Sequence, residues 1–274
     1  MSATFDTESA MCPLCGKPQS RRILKADHFS IKECVGCHLA STQPTSFVSE
    51  PSYEEAPQYA AAYQNDEKFR VYARSLLAHL GRYVPSGRLL DVGCSVGLLV
   101  DEARRAGYKA EGIDLDTNAV DYAKNNGRAV SRAALEDWGG GYDVICLAHT
   151  LEHIPRPVEF LAACHQRINP GGTLVVQVPC YRGLHPRLFG LRWYGWVPRQ
   201  HYFHYSAAAL RRLFEKSGLE TVGLWQESMD HRPPTGMRRR DLPLALLSHW
   251  IARTGSKMGF GDQLVGIAKT RGSN

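Results

Sequence analysis

The sequence has no apolar run approaching the ~18–20 residues that a bilayer-crossing helix needs, so no membrane-spanning segment is expected. Its opening residues are polar and carry no apolar h-region, so no signal peptide is expected and the cytoplasm is the expected location. The stretch that follows is short of large apolar side chains: roughly 30 residues that could scarcely fold on hydrophobic burial alone. Basic residues are scarce there too. Five Lys/Arg between residues 12 and 37, with no ladder of aromatics, disfavour a nucleic-acid partner.

At 274 residues and 43% apolar content, the chain can hold one substantial domain plus a small one. Eight cysteines in a chain expected inside the cell point to thiols and metal ligation rather than disulfides. Charge is uneven: residues 1–180 carry 18 Lys/Arg against 21 Asp/Glu, and residues 181–274 carry 15 against 6. The C-terminal third is therefore expected to meet an anionic partner, whether a nucleotide sugar or other glycan acceptor, a lipid headgroup or nucleic acid.

Cys12-Pro-Leu-Cys15 and Cys34-Val-Gly-Cys37 form two C-x-x-C pairs at a separation typical of structural zinc sites. Four thiolates would close a tetrahedron and leave no position for water. The expected role is a structural Zn2+ held by Cys12, Cys15, Cys34 and Cys37, stapling a segment with little core of its own.

Further on, Arg88-Leu89-Leu90-Asp91-Val92-Gly93-Cys94-Ser95-Val96-Gly97 reads as a buried strand, a glycine turn and a helix start, and Ile113-Asp114 as the end of the next strand. Gly93 and Gly97 allow a tight turn and close approach of a ligand. Asp114, about 20 residues after the turn, is placed to bind a ribose diol. The dinucleotide pattern G-x-G-x-x-G is absent. Asp91 sits inside the turn, where it would repel a pyrophosphate but suit an amino group and a positive sulfur. On these residues the chain resembles the class I S-adenosylmethionine-dependent methyltransferases, whose first motif has the form D-x-G-x-x-x-G.

Periodicity supplies the surrounding elements. A helix is expected over Asp66 to Tyr83, and strands over 88–92, 109–114, 142–148, 173–178, 220–225 and 263–269. Helices are expected over 96–106, 117–126 and 157–168, with a turn at Asn169-Pro-Gly-Gly172. Alternating units of this pitch predict a doubly wound, mostly parallel sheet; the resemblance implies seven strands of Rossmann-like methyltransferase type, preceded by the small zinc ribbon. The expected division is a ribbon over 1–45, a connector and leading helix over 46–86, and a methyltransferase domain over 87–274. An insertion at 230–260 carries Arg238-Arg239-Arg240 ahead of a Leu/Trp helix. It is expected to be a lid, with peripheral membrane contact through 238–251 as the alternative.

The ribbon, connector and core together look like the bacterial sugar methyltransferases. That resemblance implies S-adenosylmethionine as cofactor, with Asp91 and Gly93 at its amino-acid end. It further implies Asp114 and the Leu115 backbone at the ribose, and Leu135 with Glu136 or Asp137 near adenine; Cys94, Gly97 and Ala148 complete the set. Ala148-His149-Thr150-Leu151-Glu152-His153 resembles the family's segment lining the methyl-transfer cavity, with His149 just past the strand; His153 would be either an acid/base group or a packed, hydrogen-bonded residue.

Trp193 to Ser206 resembles the relatives' W…P-x-x-H-x-x-H stretch. There His201 is the preferred base, His204 a brace, and the aromatics a stacking surface for a sugar ring. The expected activity is O-methylation of a sugar-containing or small polar acceptor. Methylation of RNA or a quinone-like ring, or cofactor binding without catalysis, are the alternatives.

Overall fold

The computed structural model describes residues 11–18, 21–26, 29–44, 66–198, 200–228 and 242–270. The connector after Pro44 and the run Arg238-Arg239-Arg240 lie outside them.

Two sheets are present among the described residues. The smaller is antiparallel, with β1 (Arg21–Lys25), β2 (Phe29–Glu33) and β3 (Ala40–Pro44) in chain order, closed by β9 (Phe203–His204). The larger has seven strands: β4 (Arg88–Val92), β5 (Lys109–Asp114), β6 (Val130–Arg132), β7 (Tyr142–Ala148), β8 (Ile168–Pro179), β10 (Leu219–Glu227) and β11 (Gln263–Thr270). They lie in the order β10-β11-β8-β7-β4-β5-β6, parallel except that β11 runs against both its neighbours. This is the mostly parallel, Rossmann-like methyltransferase sheet expected. The chain leaves β4 toward one edge and returns to β7 on its other side, so the switch point lies between their carboxyl ends. A ligand crevice is expected at such a point.

Helices α1 (Asp66–Leu80), α2 (Leu98–Arg105) and α3 (Thr117–Asn125) cover one face. Leu76, Leu80, Leu99, Val100, Ala103 and Val120 pack there against Leu89, Val144 and Val175. Helices α4 (Pro157–His165) and α6 (Ala207–Lys216), separated in the chain by the short α5 (Leu184–Phe189), cover the other, where Leu161, Leu210, Leu213 and Phe214 are buried. Each fully buried Leu or Phe contributes roughly 1.5–3 kcal/mol as an upper estimate, so interdigitation of these rows accounts for much of the fold. Ser206 caps α6 by accepting from Ala209 N at 3.1 Å, as its position before an apolar run suggests.

Four local expectations are corrected. The helix expected to reach Ile168 ends at His165, and Ile168 begins a strand. The Asn169-Pro-Gly-Gly172 stretch lies within β8 rather than before it, with a register irregularity against β7 between Tyr142 and Val144. The helix expected from Val96 begins at Leu98, because Gly97 is left-handed at φ 76 and serves as its N-cap. A two-residue strand, β9, pairs with Ala40 and Ser41 where a loop was expected.

The cysteine segment is joined to the main body. Cys12, Leu14, Cys34, Cys37 and Leu39 share one core with Phe203, Tyr205 and Leu210. Glu33, itself buried, receives Tyr181 Oη at 2.9 Å and pairs with Arg182 and Arg21. Burial alone would raise its pKa, yet hydrogen bonds from Arg182 and Tyr181 hold it down at about 2.

Candidate active site

The Gly93–Gly97 turn follows β4 at the switch point. Gly93 and Gly97 sit at φ 74 and 76, and Ser95 between them is also left-handed at φ 48, an uncommon state for a residue with a Cβ. A Cβ on Gly93 would meet Thr150 Oγ1 at 2.5 Å, and one on Gly97 would meet Val130 Cγ2 at 2.7 Å. Glycine is thus fixed twice at each position, by backbone conformation and by space.

Asp114, at the end of β5, accepts from Ser95 N at 2.6 Å through Oδ2 and from Asp116 N at 2.9 Å through Oδ1. The carboxylate therefore ties the glycine turn to the next loop. Asp91 is fully buried, and among the described residues its Oδ1 has no hydrogen-bond partner. Burial, with a smaller contribution from the Asp114 charge, pushes its pKa up to about 8. Two carboxylates at one turn, one of them unsatisfied, form a site suited to a cation.

Leu115 is exposed, Leu135 buried, and Cys94 buried against the turn, with its thiol pushed well up by burial. Arg167 Nη2 donates to the Glu136 carbonyl at 2.9 Å, which anchors that loop while leaving its side chain exposed. Ala148 closes β7.

A cluster of histidines begins directly beyond β7. His149 is left-handed at φ 57, and its N–H donates to the Gln177 carbonyl at 2.9 Å. Thr150, which fills the space over Gly93, donates to the Val92 carbonyl at 2.9 Å, so this segment touches the glycine turn itself. His149 Nδ1 lies 3.3 Å from Glu152 Oε1, with His149 35% exposed and Glu152 1%. Burial alone would raise the Glu152 pKa, but His149, with His153 and His201 nearby, holds it below the ordinary value.

His153 Nδ1 donates to the Gln200 carbonyl at 3.1 Å and His201 Nδ1 to the Gly195 carbonyl at 3.0 Å. The two rings meet edge to face at 4.8 Å between centroids. His201 is 7% exposed, and burial lowers its pKa to about 4; burial lowers His153 as well. His204 is buried and donates from Nε2 to Thr42 Oγ1 at 3.0 Å, in the bracing position expected for it. The glycine turn, Asp114 and the histidine cluster therefore share the carboxyl edge of the sheet.

The stacking surface expected from Trp193, Tyr194, Trp196, Tyr202 and Phe203 is not assembled. Trp193, Trp196 and Phe203 are buried. Trp193 and Trp196 pack edge to face at 4.9 Å with Tyr181 and Ile31 around them, because the small sheet lies against this segment. Only Tyr194 and Tyr202 reach the surface.

An open cleft of about 510 Å³ lies between α1, the end of β10 and α7 (Leu242–Lys257), lined by Tyr72, Ser75, Glu227, His249 and Arg253 among others. Glu227 Oε1 accepts from Gln177 Nε2 at 3.4 Å, and the Gln177 carbonyl accepts from His149 N, so Gln177 links a wall of the cleft to the turn that carries His149. Sequence reasoning missed Gln177 and Glu227: they stand at the ends of separate strands and belong to no local motif.

The family model described as a methyltransferase domain matches residues 63–224. The chain belongs to this family. The methyltransferase is 38% identical to the ubiquinone biosynthesis O-methyltransferase of Nitrosococcus oceani, over 32% of this chain and 41% of that protein. It is 33% identical to that of Burkholderia thailandensis over 33% and 43%. The chain thus spans about two fifths of the length of these relatives.

Solved structures agree on the fold. An S-adenosylmethionine-dependent methyltransferase of Archaeoglobus fulgidus superposes with a TM-score of 0.53 at 19% identity, covering 76% of this chain and 99% of the other. The 1,6-didemethyltoxoflavin-N1-methyltransferase of Burkholderia thailandensis, solved with its substrate and S-adenosylhomocysteine, gives 0.51 at 15% identity over 92% and 99%. Residues 63–224 are thus a methyltransferase domain, with the fold of S-adenosylmethionine-dependent methyltransferases. No described helix is long and apolar enough to cross a membrane.

Proposed function

We propose that this methyltransferase moves a methyl group from S-adenosylmethionine to a hydroxyl oxygen on a quinone-like ring, with His149 accepting the hydroxyl proton and Glu152 orienting His149. The observation that carries this reading is the His149–Glu152 pair, packed through Thr150 against the glycine turn. A buried carboxylate on Nδ1 leaves Nε2 as the proton-accepting nitrogen, and of the three candidate histidines only His149 is substantially exposed.

The residues present fit the cofactor. Asp91 offers an unsatisfied buried oxygen to a cationic amino-acid end, and Gly93 leaves its backbone bare of a Cβ. Asp114 has acceptor capacity beyond its two backbone donors for a ribose diol, and Leu115, Leu135, Glu136 and Ala148 are assigned here to the rest of the cofactor site. Bound there, S-adenosylmethionine supplies a methyl carbon that an acceptor oxygen attacks in line, the C–S electrons leaving on sulfur as a neutral thioether. The chain's own task is to position that oxygen, exclude water and take the proton.

The ring acceptor is favoured by the name of the relatives and by α7, which leaves Leu246, Leu247 and Trp250 exposed beside the cleft. The sugar acceptor implied by sequence resemblance leaned on aromatics that are buried.

The cysteine cluster is read as a structural zinc site. The four sulfurs converge within 4.8 Å of one another, with Cys12–Cys37 at 3.4 Å and Cys15–Cys34 at 3.3 Å, a spacing four thiolates adopt around one ion.

The test is to incubate the protein with methyl-labelled S-adenosylmethionine and a cell extract split into lipid and aqueous fractions. Label in a lipid-soluble methyl ether supports the reading. Label only in aqueous, sugar-bearing material overturns the acceptor class.

A further inference from the structure

Glu152, His153 and His201 bring together one carboxylate oxygen and two ring nitrogens, all within 4.8 Å of one another. They come from two distant parts of the chain, the turn after β7 and the segment before β9. In both histidines Nδ1 faces a backbone carbonyl, which can only accept, so Nδ1 carries the proton and Nε2 carries a lone pair. Glu152 is 1% exposed; its Oε1 is engaged by His149, and among the described residues its Oε2 has no partner. Each of the three residues thus holds one acceptor that carries no proton, in a largely buried cluster whose candidate ligand atoms lie within 4.8 Å of one another. A buried set of lone pairs without a donor is costly unless a cation satisfies it.

We propose that Glu152 Oε2, His153 Nε2 and His201 Nε2 form a second metal site, for a dication of the zinc class. Imidazole suits first-row transition ions rather than magnesium, which prefers oxygen ligands. The carbonyls on the two Nδ1 atoms provide the outer-shell hydrogen bonds that fix the tautomer and ring orientation of metal-bound histidines. Three protein ligands leave a fourth position open, unlike the four-cysteine cluster, which is closed. An ion there would hold the acceptor hydroxyl oxygen and lower its pKa, which would ease transfer of its proton to His149 Nε2. That consequence rests on the methyl-transfer reading above; the metal site does not.

The test is cobalt(II) and zinc(II) titration of the full chain, with metal content and electronic absorption read together. The expected result is about two ions per chain, one with thiolate-to-cobalt charge-transfer absorption and one without. His201→Ala and Glu152→Gln should each bind about one ion and keep the thiolate band. Should those variants fail to fold, Cys34→Ser serves instead: it should lose the thiolate band and retain the other ion. A wild-type protein that takes up a single, thiolate-bound ion overturns the site. So does a second ion that persists in folded His201→Ala and Glu152→Gln. Because the readout is stoichiometry, a wild-type protein that takes up no second ion ends this inference and leaves the proposed activity standing.

Discussion

Thr150 Oγ1 occupies the space that a side chain on Gly93 would need, 2.5 Å from where its Cβ would stand, while donating to the Val92 carbonyl at 2.9 Å. The loop after β7 thus packs directly onto the glycine turn. Gly93→Ala should force Thr150 away and strain a left-handed residue, costing roughly 2–4 kcal/mol by overpacking and backbone conformation together. Calorimetry should find S-adenosylhomocysteine affinity reduced at least tenfold. Gly127→Ala is the control: φ is 71 there but no atom lies within 4 Å, so it should cost about 1 kcal/mol of stability and leave binding unchanged.

Asp91 gives a pH dependence of definite sign. Its folded pKa of about 8 is above its ordinary value, so the stability it contributes is present at low pH and is lost as pH rises through 8. A cationic ligand favours the ionised form. Binding at pH 7 should therefore release protons, and affinity should rise from pH 6 to about 8. Calorimetry in buffers of different ionisation enthalpy measures the release. Asp91→Asn should abolish it and weaken binding; equal proton release from wild type and Asp91→Asn would assign it elsewhere.

Asp114→Ala removes the acceptor for Ser95 N and Asp116 N as well as that proposed for the ribose. Affinity for S-adenosylhomocysteine should fall by about 1–3 kcal/mol, with the melting temperature lowered too. Unchanged affinity in folded Asp114→Ala would remove Asp114 from the cofactor site.

Much of this was legible in the sequence. Strands Arg88–Val92, Lys109–Asp114 and Tyr142–Ala148 begin and end where expected; the first and third are largely apolar, and the second is bounded by the turn at Gly107 and the helix start at Thr117. The pairing of Phe203–His204 with Ala40–Ser41 was not, since two residues carry no periodicity and their partners lie far away in the chain. The same limit hid the burial of Trp193 and Trp196, which depends on the small sheet packing over them. His201 was singled out for its chemistry. That its Nδ1 is spent on Gly195 and that Glu152 stands beside it are long-range facts no local spacing encodes.

The cysteine site should influence the active site through Thr42, which donates to the His201 carbonyl at 2.7 Å and receives His204 Nε2 at 3.0 Å. Cys34→Ser should release about one zinc per chain and expose residues 11–44 to proteolysis while the large sheet stays folded. Turnover should fall with cofactor affinity nearly unchanged. Intact turnover in zinc-free, protease-sensitive protein would show the two regions to be independent.

The central claim is that methyl transfer takes place beside His149, with this residue receiving the acceptor's proton. It is tested most directly by measuring turnover of labelled S-adenosylmethionine and S-adenosylhomocysteine affinity on the same preparation of His149→Ala. Turnover should drop by roughly 10²–10⁴ while affinity moves less than about threefold. Wild-type turnover in a folded His149→Ala protein that binds cofactor normally would contradict it.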